Sequence, residues 1–437
     1  MTKEVFQVAE LFAGVGGFRL GLEAARHPEA KFRVTFSNQW EPGAKRQHAS
    51  ECYMTHFGSQ GHVNEDLAKY LDWAIDGNAE LGEEYRVSLP NKIDLLVGGF
   101  PCQDYSVAKP LSHSQGLQGK KGVLWWEINR LLERKRPTYV LLENVDRLLK
   151  SPAGSRGKDF AIILSCLARL GYVVQWRVVN AAEYGFPQRR RRVFILAERR
   201  ATKRFTDEAA FKVLTKTGTM ARALPSVGTI DELRRVEVIS DPFAQTSEYN
   251  NGKVTHWGNA GVLVGGQAWT LDLDSAYKGP RATLGDVVQH GVRISREFFL
   301  EESSLNTWKY LKGAKRETRK VKSTGFGYVY TEGSVEYPDP LTRPARTILT
   351  SEGGTSPSRS KHVIKTKSGR LRRLTPIELE RLQGFPDNWT ATYADGDPIP
   401  DTKRAFFMGN ALVVGLVQRV GKELLRNASA RSSTLGV

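Results

Sequence analysis

Residues 5–18 read VFQVAELFAGVGGF and carry the clearest pattern in the first part of the chain. Val5–Phe12 is the apolar run of a buried strand, and Phe18–Arg26 has the apolar spacing of a helix. The glycines between them permit a tight turn and a close approach of a ligand to the backbone. Their G-x-G-G spacing differs from the G-x-G-x-x-G of dinucleotide-binding sheets. The stretch predicts a strand, a glycine loop and a helix, with a ligand at the loop or, as the alternative, a purely structural turn.

Strands and helices keep alternating as far as residue 200. Further strands are predicted at Phe32–Ser37, Ile93–Phe100, Tyr139–Leu142, Val173–Val179 and Arg192–Ala197, and a helix at Phe160–Leu170. This alternation indicates an α/β fold with a doubly wound, mostly parallel sheet that helices cover on both faces. Ligands of such sheets bind at the carboxyl ends of the strands, so the chemistry is expected just after Phe12, Ser37, Phe100 and Leu142.

The second half of the chain has a different character. Residues 205–340 are irregular and rich in Gly, Ser, Thr and Trp. Regular structure returns at Thr375–Glu378, which fits a helix capping box with Pro at the first helical position, and at Val413–Leu425, which reads as a helix. We therefore predict a large domain of residues 1–200 and 403–437 and a smaller, irregular domain of residues 201–402.

The charge of the chain indicates a polyanionic partner. The 437 residues carry a formal net charge of +17. Between Lys309 and Lys322 there are seven Lys or Arg residues and one acidic residue. Such a run on its own is more often a solvated helix face, but together with the overall charge it favours contact with nucleic acid.

Cysteine usage and hydropathy exclude several classes of protein. The three cysteines are too few for a disulfide framework, and no C-x-x-C pair indicates a metal site. Cys52 and Cys166 lie in predicted helices and are expected to be small buried apolar residues. No signal peptide and no apolar run of about 20 residues is present, so we expect a cytoplasmic protein without a membrane segment.

Two motifs follow predicted strands and carry reactive groups. Pro101-Cys102 comes directly after Phe100, where a cysteine is placed for nucleophilic attack, with a small buried apolar residue as the alternative. The polar segment 103–122 is long enough to close over a substrate. Glu143 follows Leu142 and is placed to act as a proton donor at the same site, or else as a carboxylate at a helix start.

An arginine run leads into the last of these strands. In Gln188–Arg192, the period of two places Arg190 and Arg192 on one face and Arg189 and Arg191 on the other. One pair is expected to line the site and the other to meet phosphates. A basic surface run is the alternative, and it fits poorly with a run that enters a buried strand.

These blocks together resemble the cytosine-C5 DNA methyltransferase family of the bacterial restriction-modification type. The resemblance is carried, in this order, by Phe12–Phe18, Pro101–Cys102, Glu143–Val145, Gln188–Arg192 and Gly409–Ala411, and it covers the chain except roughly residues 201–340. It implies the fold of S-adenosylmethionine-dependent methyltransferases for the large domain. It also implies a target-recognition region within about residues 205–340 of the small domain.

The resemblance further implies which residues hold S-adenosylmethionine, whose product is S-adenosylhomocysteine. They are Glu10, Phe12, Gly14, Gly16, Gly17, Gln39, Trp40, Asp66, Leu67, Pro101, Leu124, Asn410 and Leu412. Trp40 would stack on a base, and Asp66 would accept a hydrogen bond from an amine such as adenine N6 unless it is an ordinary surface residue. Many members carry an acidic residue for the ribose where this chain has Gln39, so either Gln39 or Glu41 is expected to hold the ribose.

The implied chemistry uses four residues on a cytosine that has left the duplex. The Cys102 thiolate would attack C6, protonated Glu143 would donate to N3, Arg192 would polarise O2, and Arg190 would position Cys102 or the nucleotide. The base that removes the C5 proton is not identified. Expected DNA contacts are Gln103, Ser106, Lys109, Arg189, Arg191, Lys312, Lys315, Arg316, Arg319 and Lys320.

The expected partner is double-stranded DNA, bound by a monomer near the nucleoid, with any restriction or phage-defence activity in a separate protein. Two alternatives stay open. The first is a tRNA cytosine-C5 methyltransferase, although the Cys-Phe-Thr insertion and short variable region of those relatives do not occur here. The second is a catalytically silent DNA-binding homologue, which would be expected to have lost one of the four reactive residues.

Overall fold

The structure is a computed structural model that describes residues 3–77, 87–100, 124–152, 155–201, 205–249, 254–320 and 327–432. Five predicted site residues lie outside the described residues, namely Pro101, Cys102, Gln103, Ser106 and Lys109. The chain forms two compact units. Unit 1 comprises Met1–Tyr184, Arg191–Gly279 and Leu412–Val437, and unit 2 comprises Gly185–Arg190 and Pro280–Ala411.

Unit 1 contains a large sheet covered by helices. Its strands are β1 Glu4–Leu11, β2 Ala30–Asn38, β3 His62–Val63, β4 Leu95–Gly99, β5 Tyr139–Val145, β6 Tyr172–Asn180, β7 Arg191–Arg199, β8 Ser226–Val227, β9 Arg234–Glu237, β10 Ala260–Val264, β11 Gln267–Leu271 and β12 Asp274–Ser275. Its helices are α1 Gly17–Glu23, α2 His48–Phe57, α3 Leu67–Asp76, α4 Leu124–Lys135, α5 Lys158–Arg169, α6 Asp207–Lys212, α7 Thr219–Ala223, α8 Pro242–Glu248 and α12 Val414–Ser432.

Ten of these strands form one sheet in the order β3-β2-β1-β4-β5-β7-β6-β10-β11-β9. The strands from β3 to β5 in this order are parallel, and the remaining five pair antiparallel. The predicted fold class is confirmed. The five antiparallel strands extend the predicted parallel sheet. Because β1, β2, β4 and β5 are parallel, their carboxyl ends lie at the same edge of the sheet, where the sequence predicts the site.

Helix α12 packs against α1 within unit 1. The close approach depends on Gly21, where an added Cβ would lie 2.8 Å from both the Val417 Cβ and the Val414 carbonyl oxygen. Contacts this short do not occur between real side chains, so any larger residue would push the two helices apart.

The division into units differs from the predicted domain boundaries at residues 200 and 402. Residues 205–279 belong to unit 1, because β10 pairs with β6 and β11 joins β10 to β9. All five residues of β10 are buried. Hydrogen bonding and burial therefore make these residues part of the large sheet, although their sequence lacks the regular pattern of the first 200 residues.

Unit 2 is smaller and consists of short elements. Its helices are α9 Leu305–Lys312, α10 Pro376–Gln383 and α11 Asp401–Asn410, and its strands are β13 Lys315–Lys320, β14 Gly327–Glu332, β15 Val363–Lys365 and β16 Leu371–Arg373. The predicted capping box of α10 is confirmed, since Glu378 N donates to Thr375 Oγ1 at 3.3 Å and Thr375 N donates to the Glu378 carboxylate at 2.9 Å. Gly384 ends α10 in the left-handed conformation, with φ of 80°.

Among the described residues, no helix combines the length and the apolar character that crossing a membrane requires.

Candidate active site

The glycine loop after β1 has the backbone geometry that only glycine adopts easily. Gly14 and Gly16 have φ of 55° and 88°, and Phe12 is also in this left-handed region with φ of 53°. A Cβ added at Gly16 would overlap the Phe57 ring. The Gly14 N–H donates to Gln39 Oε1 at 2.7 Å, which joins the loop to the residue that follows β2. The loop and the end of β2 are therefore held together as one surface.

Glu10 is a buried carboxyl group at the end of β1. Its two oxygens accept hydrogen bonds from the Arg19 backbone N–H at 3.3 Å and from the Tyr53 hydroxyl at 3.1 Å. Burial raises the pKa of Glu10 to about 8, which these hydrogen bonds only partly oppose. At neutral pH the carboxyl group therefore carries a proton, and a nearby cation would favour its ionised form.

A second buried group supports this corner of the sheet. The His62 ring stacks on Tyr53 with 4.8 Å between ring centroids, and its two nitrogens lie 2.8 Å from Ser37 Oγ and Ser50 Oγ. Burial lowers the pKa of His62 to about 4, so the ring is neutral. Tyr53, His62 and the two serines were not predicted as site residues, because their spacing on β2, α2 and β3 is that of ordinary core residues.

The remaining polar candidates near β2 have local partners. The Glu41 carboxylate accepts from the Ala49 N–H in the first turn of α2 at 2.9 Å. Asp66 is the N-cap of α3, and its Oδ1 accepts from the Ala68 N–H at 2.9 Å. Gln39 already uses Oε1 for the glycine loop. The choice between Gln39 and Glu41 for the ribose stays a prediction.

Glu143 and Arg192 form an ion pair at the same edge of the sheet. They lie on the neighbouring strands β5 and β7, and Arg192 Nε is 2.9 Å from Glu143 Oε1. Glu143 is 8% exposed. Gly99 is its register partner on β4, and a Cβ there would lie 3.4 Å from Glu143 Oε2, so the glycine leaves space beside the carboxylate.

Asn144 links the end of β4 to β5, the strand that carries Glu143. Its side-chain amide donates to the Phe100 carbonyl oxygen at 2.9 Å. Phe100 is the last described residue before Pro101 and Cys102. Asn144 was part of a predicted motif, but its role was not predicted, because an amide in a short motif does not reveal which carbonyl it reaches.

The arginine run divides between the two units. Exposure alternates as the period of two predicts, with Arg189 and Arg191 exposed and Arg190 buried. Arg190 is 1% exposed and donates to the carbonyl oxygens of Ile348 and Gly409 in unit 2, at 3.2 and 2.9 Å. Arg191 lies 3.3 Å from Asp146 in unit 1. This environment favours a positioning role for Arg190 over direct contact with a substrate.

The basic run in unit 2 is not a helix face throughout, and one of its predicted DNA contacts, Lys312, is wrong. Lys312 is 1% exposed, and its ammonium group donates to the carbonyl oxygens of Arg359 and Lys361. Burial lowers the pKa of Lys312 to about 8. The Lys315 side chain is mostly buried and lies 4.0 Å from Glu332. The buried Lys312 amine faces protein groups and is not available to a phosphate, whereas Lys315 stays a predicted DNA contact.

Other predicted residues occupy varied positions. Leu67 and Leu412 are buried, Leu124 begins α4, and Asn410 is exposed at the end of α11. Arg316 and Lys320 are exposed on β13, whereas the Arg319 side chain lies outside the described part of the chain. Cys52 and Cys166 are buried, as predicted. The described ranges contain no group of three or more His, Cys, Asp or Glu side chains that would hold a metal ion.

The family model of the C-5 cytosine-specific DNA methylases matches residues 6–426. The chain belongs to the C-5 cytosine-specific DNA methylase family. It is 42% identical to the Type II methyltransferase M.Sau3AI of Staphylococcus aureus, over 96% of this chain and 95% of that protein. It is 27% identical to M1.ScrFI of Lactococcus lactis subsp. cremoris, over 96% of this chain and 78% of that protein.

This membership identifies the chain as a DNA cytosine-5-methyltransferase and confirms the resemblance read from the motifs. The fold agrees with that of a solved Dnmt2 methyltransferase from S. pombe. The two structures superpose with a TM-score of 0.54 at 15% identity, over 98% of this chain and 99% of the other.

Proposed function

We propose that this methyltransferase transfers a methyl group from S-adenosylmethionine to C5 of a cytosine that is flipped out of a short duplex sequence, through a covalent bond between Cys102 and C6. The observation that supports it best is the Glu143–Arg192 pair, buried beside the end of β4. In the sequence, Cys102 follows Gly99, the register partner of Glu143, by only three residues.

The residues after β1 and β2 fit S-adenosylmethionine. Gly14 and Gly16, whose positive φ angles favour glycine, carry no side chains, so the loop backbone would be open to the methionine portion. The Glu10 carboxyl group would gain its charge beside the ammonium group of that portion, and Trp40 would stack on the adenine. When bound, this cofactor supplies an electrophilic methyl group, and the protein residues hold it in place.

The reactive residues act on the cytosine ring. The Cys102 thiolate attacks C6, which makes C5 nucleophilic toward the methyl group. Glu143 donates a proton to N3, while the neighbouring Arg192 donates hydrogen bonds to O2, and both stabilise the charge that develops on the ring. Loss of the C5 proton to a base then expels the Cys102 thiolate, and return of the N3 proton to Glu143 restores the neutral aromatic ring. The buried Arg190 fixes the chain immediately before β7 and so positions Arg192.

The substrate is duplex DNA in this proposal. Flipping a cytosine costs a few kcal/mol, which contacts with the DNA repay. The exposed Arg189 and Arg191 suit phosphates, whose binding depends on salt. The relatives are named Type II methyltransferases, so we propose that this enzyme likewise protects the recognition sites of a separate restriction enzyme.

The nature of the substrate is tested with methyl-labelled S-adenosylmethionine. The purified protein is expected to label duplex DNA from a host that lacks cytosine methylation and to leave bulk tRNA unlabelled. Labelled tRNA with unlabelled DNA would establish the tRNA alternative instead. Binding of DNA without label in either substrate would support the catalytically silent homologue.

Replacing Glu10 with glutamine is expected to weaken S-adenosylmethionine binding about tenfold or more, the size of a hydrogen bond to a charged group. Glutamine is uncharged and has nearly the shape of the protonated carboxyl group. The stability of the protein without bound cofactor should therefore not fall. In the wild type the ligand-free Glu10 is protonated below its pKa of about 8. Affinity should therefore rise with pH toward that value and then level off.

Calorimetric titration from about pH 6 to about pH 9 measures this dependence. In the Glu10→Gln variant, S-adenosylmethionine affinity should lack the part of its rise with pH that comes from ionisation of Glu10. Glu4→Gln is the matched control, because Glu4 lies at the exposed start of the same strand, away from the Glu10 carboxyl group. Identical affinities and pH profiles for wild type and Glu10→Gln would remove Glu10 from the cofactor site.

A further inference from the structure

Glu10 lies at the end of a chain of hydrogen-bond donors within unit 1. Arg19 Nη1 donates to the Tyr53 hydroxyl oxygen at 3.2 Å, and the Tyr53 hydroxyl donates to Glu10 Oε2 at 3.1 Å. The Arg19 backbone N–H donates to the other carboxyl oxygen, Glu10 Oε1, at 3.3 Å. Because the Tyr53 oxygen already accepts from the Arg19 guanidinium, its single proton is left to bond to Glu10. Both donors that reach the carboxyl group stabilise its ionised form.

Packing fixes the Tyr53 ring in this position. The residue is fully buried, and its ring stacks on His62 and packs against Phe57, with 4.8 Å between ring centroids in each pair. Burial raises the pKa of the Tyr53 hydroxyl well above its ordinary value, and the nearby Glu10 carboxyl group raises it further. Tyr53 therefore keeps its proton and remains a donor around neutral pH.

Helix α2 connects this donor to the glycine loop. Tyr53 and Phe57 are four residues apart and so lie on one face of α2. A Cβ added at Gly16 would overlap the Phe57 ring, and the Arg19 guanidinium carbon lies 4.2 Å from the centre of that ring. One face of α2 thus supports both the Glu10 carboxyl group and the loop that follows β1.

The charges around Glu10 come from several elements. Arg19 on α1 is the cation that acts on it, and Glu23, which lies 3.1 Å from Arg19 Nε, is the anion. The Tyr53 hydroxyl on α2 is neutral, and so is His62 on β3, whose pKa burial lowers to about 4. Burial outweighs the donors and holds the pKa of Glu10 at about 8. The donors from Arg19 and Tyr53 therefore keep that pKa from rising further.

We infer that Tyr53, oriented by the Arg19 guanidinium, is a positioning residue that prepares Glu10 to bind the ammonium group of S-adenosylmethionine, an inference that rests on the proposed function. The two donors fix the plane of the carboxyl group before the cofactor arrives, so binding does not have to reorient it. Each carboxylate oxygen accepts one protein hydrogen bond and keeps a lone pair for the ligand. Tyr53 acts through Glu10 and does not contact the cofactor.

The inference is tested with Tyr53→Phe, which removes the hydroxyl group and keeps the packed ring. In calorimetric titrations with S-adenosylmethionine, the affinity at neutral pH should fall about tenfold. The pH at which the affinity levels off should move upward by about one pH unit or more, because a hydrogen bond to the ionised carboxylate is lost. The amino group of S-adenosylmethionine titrates in the same range, but it does so for every variant, so differences between variants isolate Glu10.

A second variant removes the other end of the donor chain. Arg19→Met lacks the guanidinium but keeps the backbone N–H that donates to Glu10. Its pH profile should move in the same direction as that of Tyr53→Phe. The effect of combining the two substitutions should be smaller than the sum of the single effects, because both act through one hydroxyl group.

The matched control is Tyr172→Phe, which removes a buried hydroxyl group that donates to the Pro137 carbonyl oxygen at 2.7 Å at the start of β6. It should leave the affinity and its pH profile unchanged. The substitution Tyr53→Phe is also made in the Glu10→Gln background. There it should change the affinity by less than about twofold, because no carboxylate charge remains to be stabilised.

Proton release on binding gives a second readout. Titrations in buffers with different ionisation enthalpies measure the number of protons that are released when S-adenosylmethionine binds. At about pH 8.5 much of the wild-type Glu10 is already ionised, whereas in Tyr53→Phe most of it should still be protonated. The variant should therefore release more protons than the wild type at this pH.

Two outcomes would overturn the inference. The first is a Tyr53→Phe variant with the affinity and pH profile of the wild type. The second is an equal loss of affinity in the wild-type and Glu10→Gln backgrounds, which would mean that Tyr53 only supports the fold. A wild type that does not bind S-adenosylmethionine would instead contradict the proposed function. The failures are distinguishable, because Tyr53 is judged only against a wild type that binds the cofactor.

Discussion

Replacing Glu143 with glutamine is expected to lower the rate of methylation by about 10²- to 10⁴-fold, the usual contribution of general acid catalysis. Glutamine keeps the size and the hydrogen-bonding capacity of the side chain, but it has no proton to transfer to cytosine N3. The Glu143 carboxyl group is 8% exposed and lies 2.9 Å from Arg192, so water has little room to replace it as a donor.

The effect should appear in the chemical step rather than in binding. Single-turnover methylation of a preformed complex measures that step, and titrations of S-adenosylmethionine and of duplex DNA measure binding. Glu133→Gln is the matched control, because Glu133 lies on α4 in a half-exposed pair with Arg169. A single-turnover rate for Glu143→Gln within about threefold of the wild type would mean that Glu143 is not the proton donor.

The sequence predicts the first strands and the glycine loop well because their signals are local. The apolar run that ends at Leu11 and the glycines that follow it need no distant partner to be recognised. The structure begins β1 at Glu4 and α1 at Gly17, each one residue before its predicted start. The capping box before α10 is equally local, since Thr375 and Glu378 bond to each other's backbone.

The antiparallel half of the sheet was not predicted from residues 205–279, because its strands depend on distant partners. Gly261 pairs with Trp176, which lies on the other side of the predicted domain boundary. A Cβ on Gly261 would overlap the Trp176 ring, so the glycine serves packing within the sheet. In the sequence the same glycine reads as a loop signal, and β10 was overlooked.

The candidate site was predicted only in part, again because some of its contacts depend on residues that are distant in the sequence. Glu143 and Arg192 come from two motifs whose strands proved to be neighbours, so pattern and topology agree. The setting of Glu10 was not predictable, because its burial depends on Arg19 and Tyr53 from two helices. Lys312 was misread as a surface cation, since a run of basic residues does not reveal which of them donates to buried carbonyl groups.

Replacing Cys102 with alanine is expected to abolish methylation, because alanine has no thiolate to attack C6 and an unactivated C5 does not accept the methyl group. The loss should be complete within detection, whereas binding of duplex DNA and of S-adenosylmethionine should remain. Cys166→Ala is the matched control, since that thiol is buried in α5 and has no part in the proposed reaction. A loss of stability in Cys166→Ala would lower the amount of methylation but would not change which DNA sites are methylated.

Bisulfite sequencing of DNA from a host without its own cytosine methylation tests whether this chain methylates cytosine through Cys102. Cells that express the wild-type chain should show protected cytosines at one position of one short duplex motif, and cells that express Cys102→Ala should show none. Protection that persists in Cys102→Ala would contradict the covalent mechanism. The absence of protected cytosines with well-expressed, folded wild-type protein would contradict the assignment of this chain as an active DNA cytosine-C5 methyltransferase.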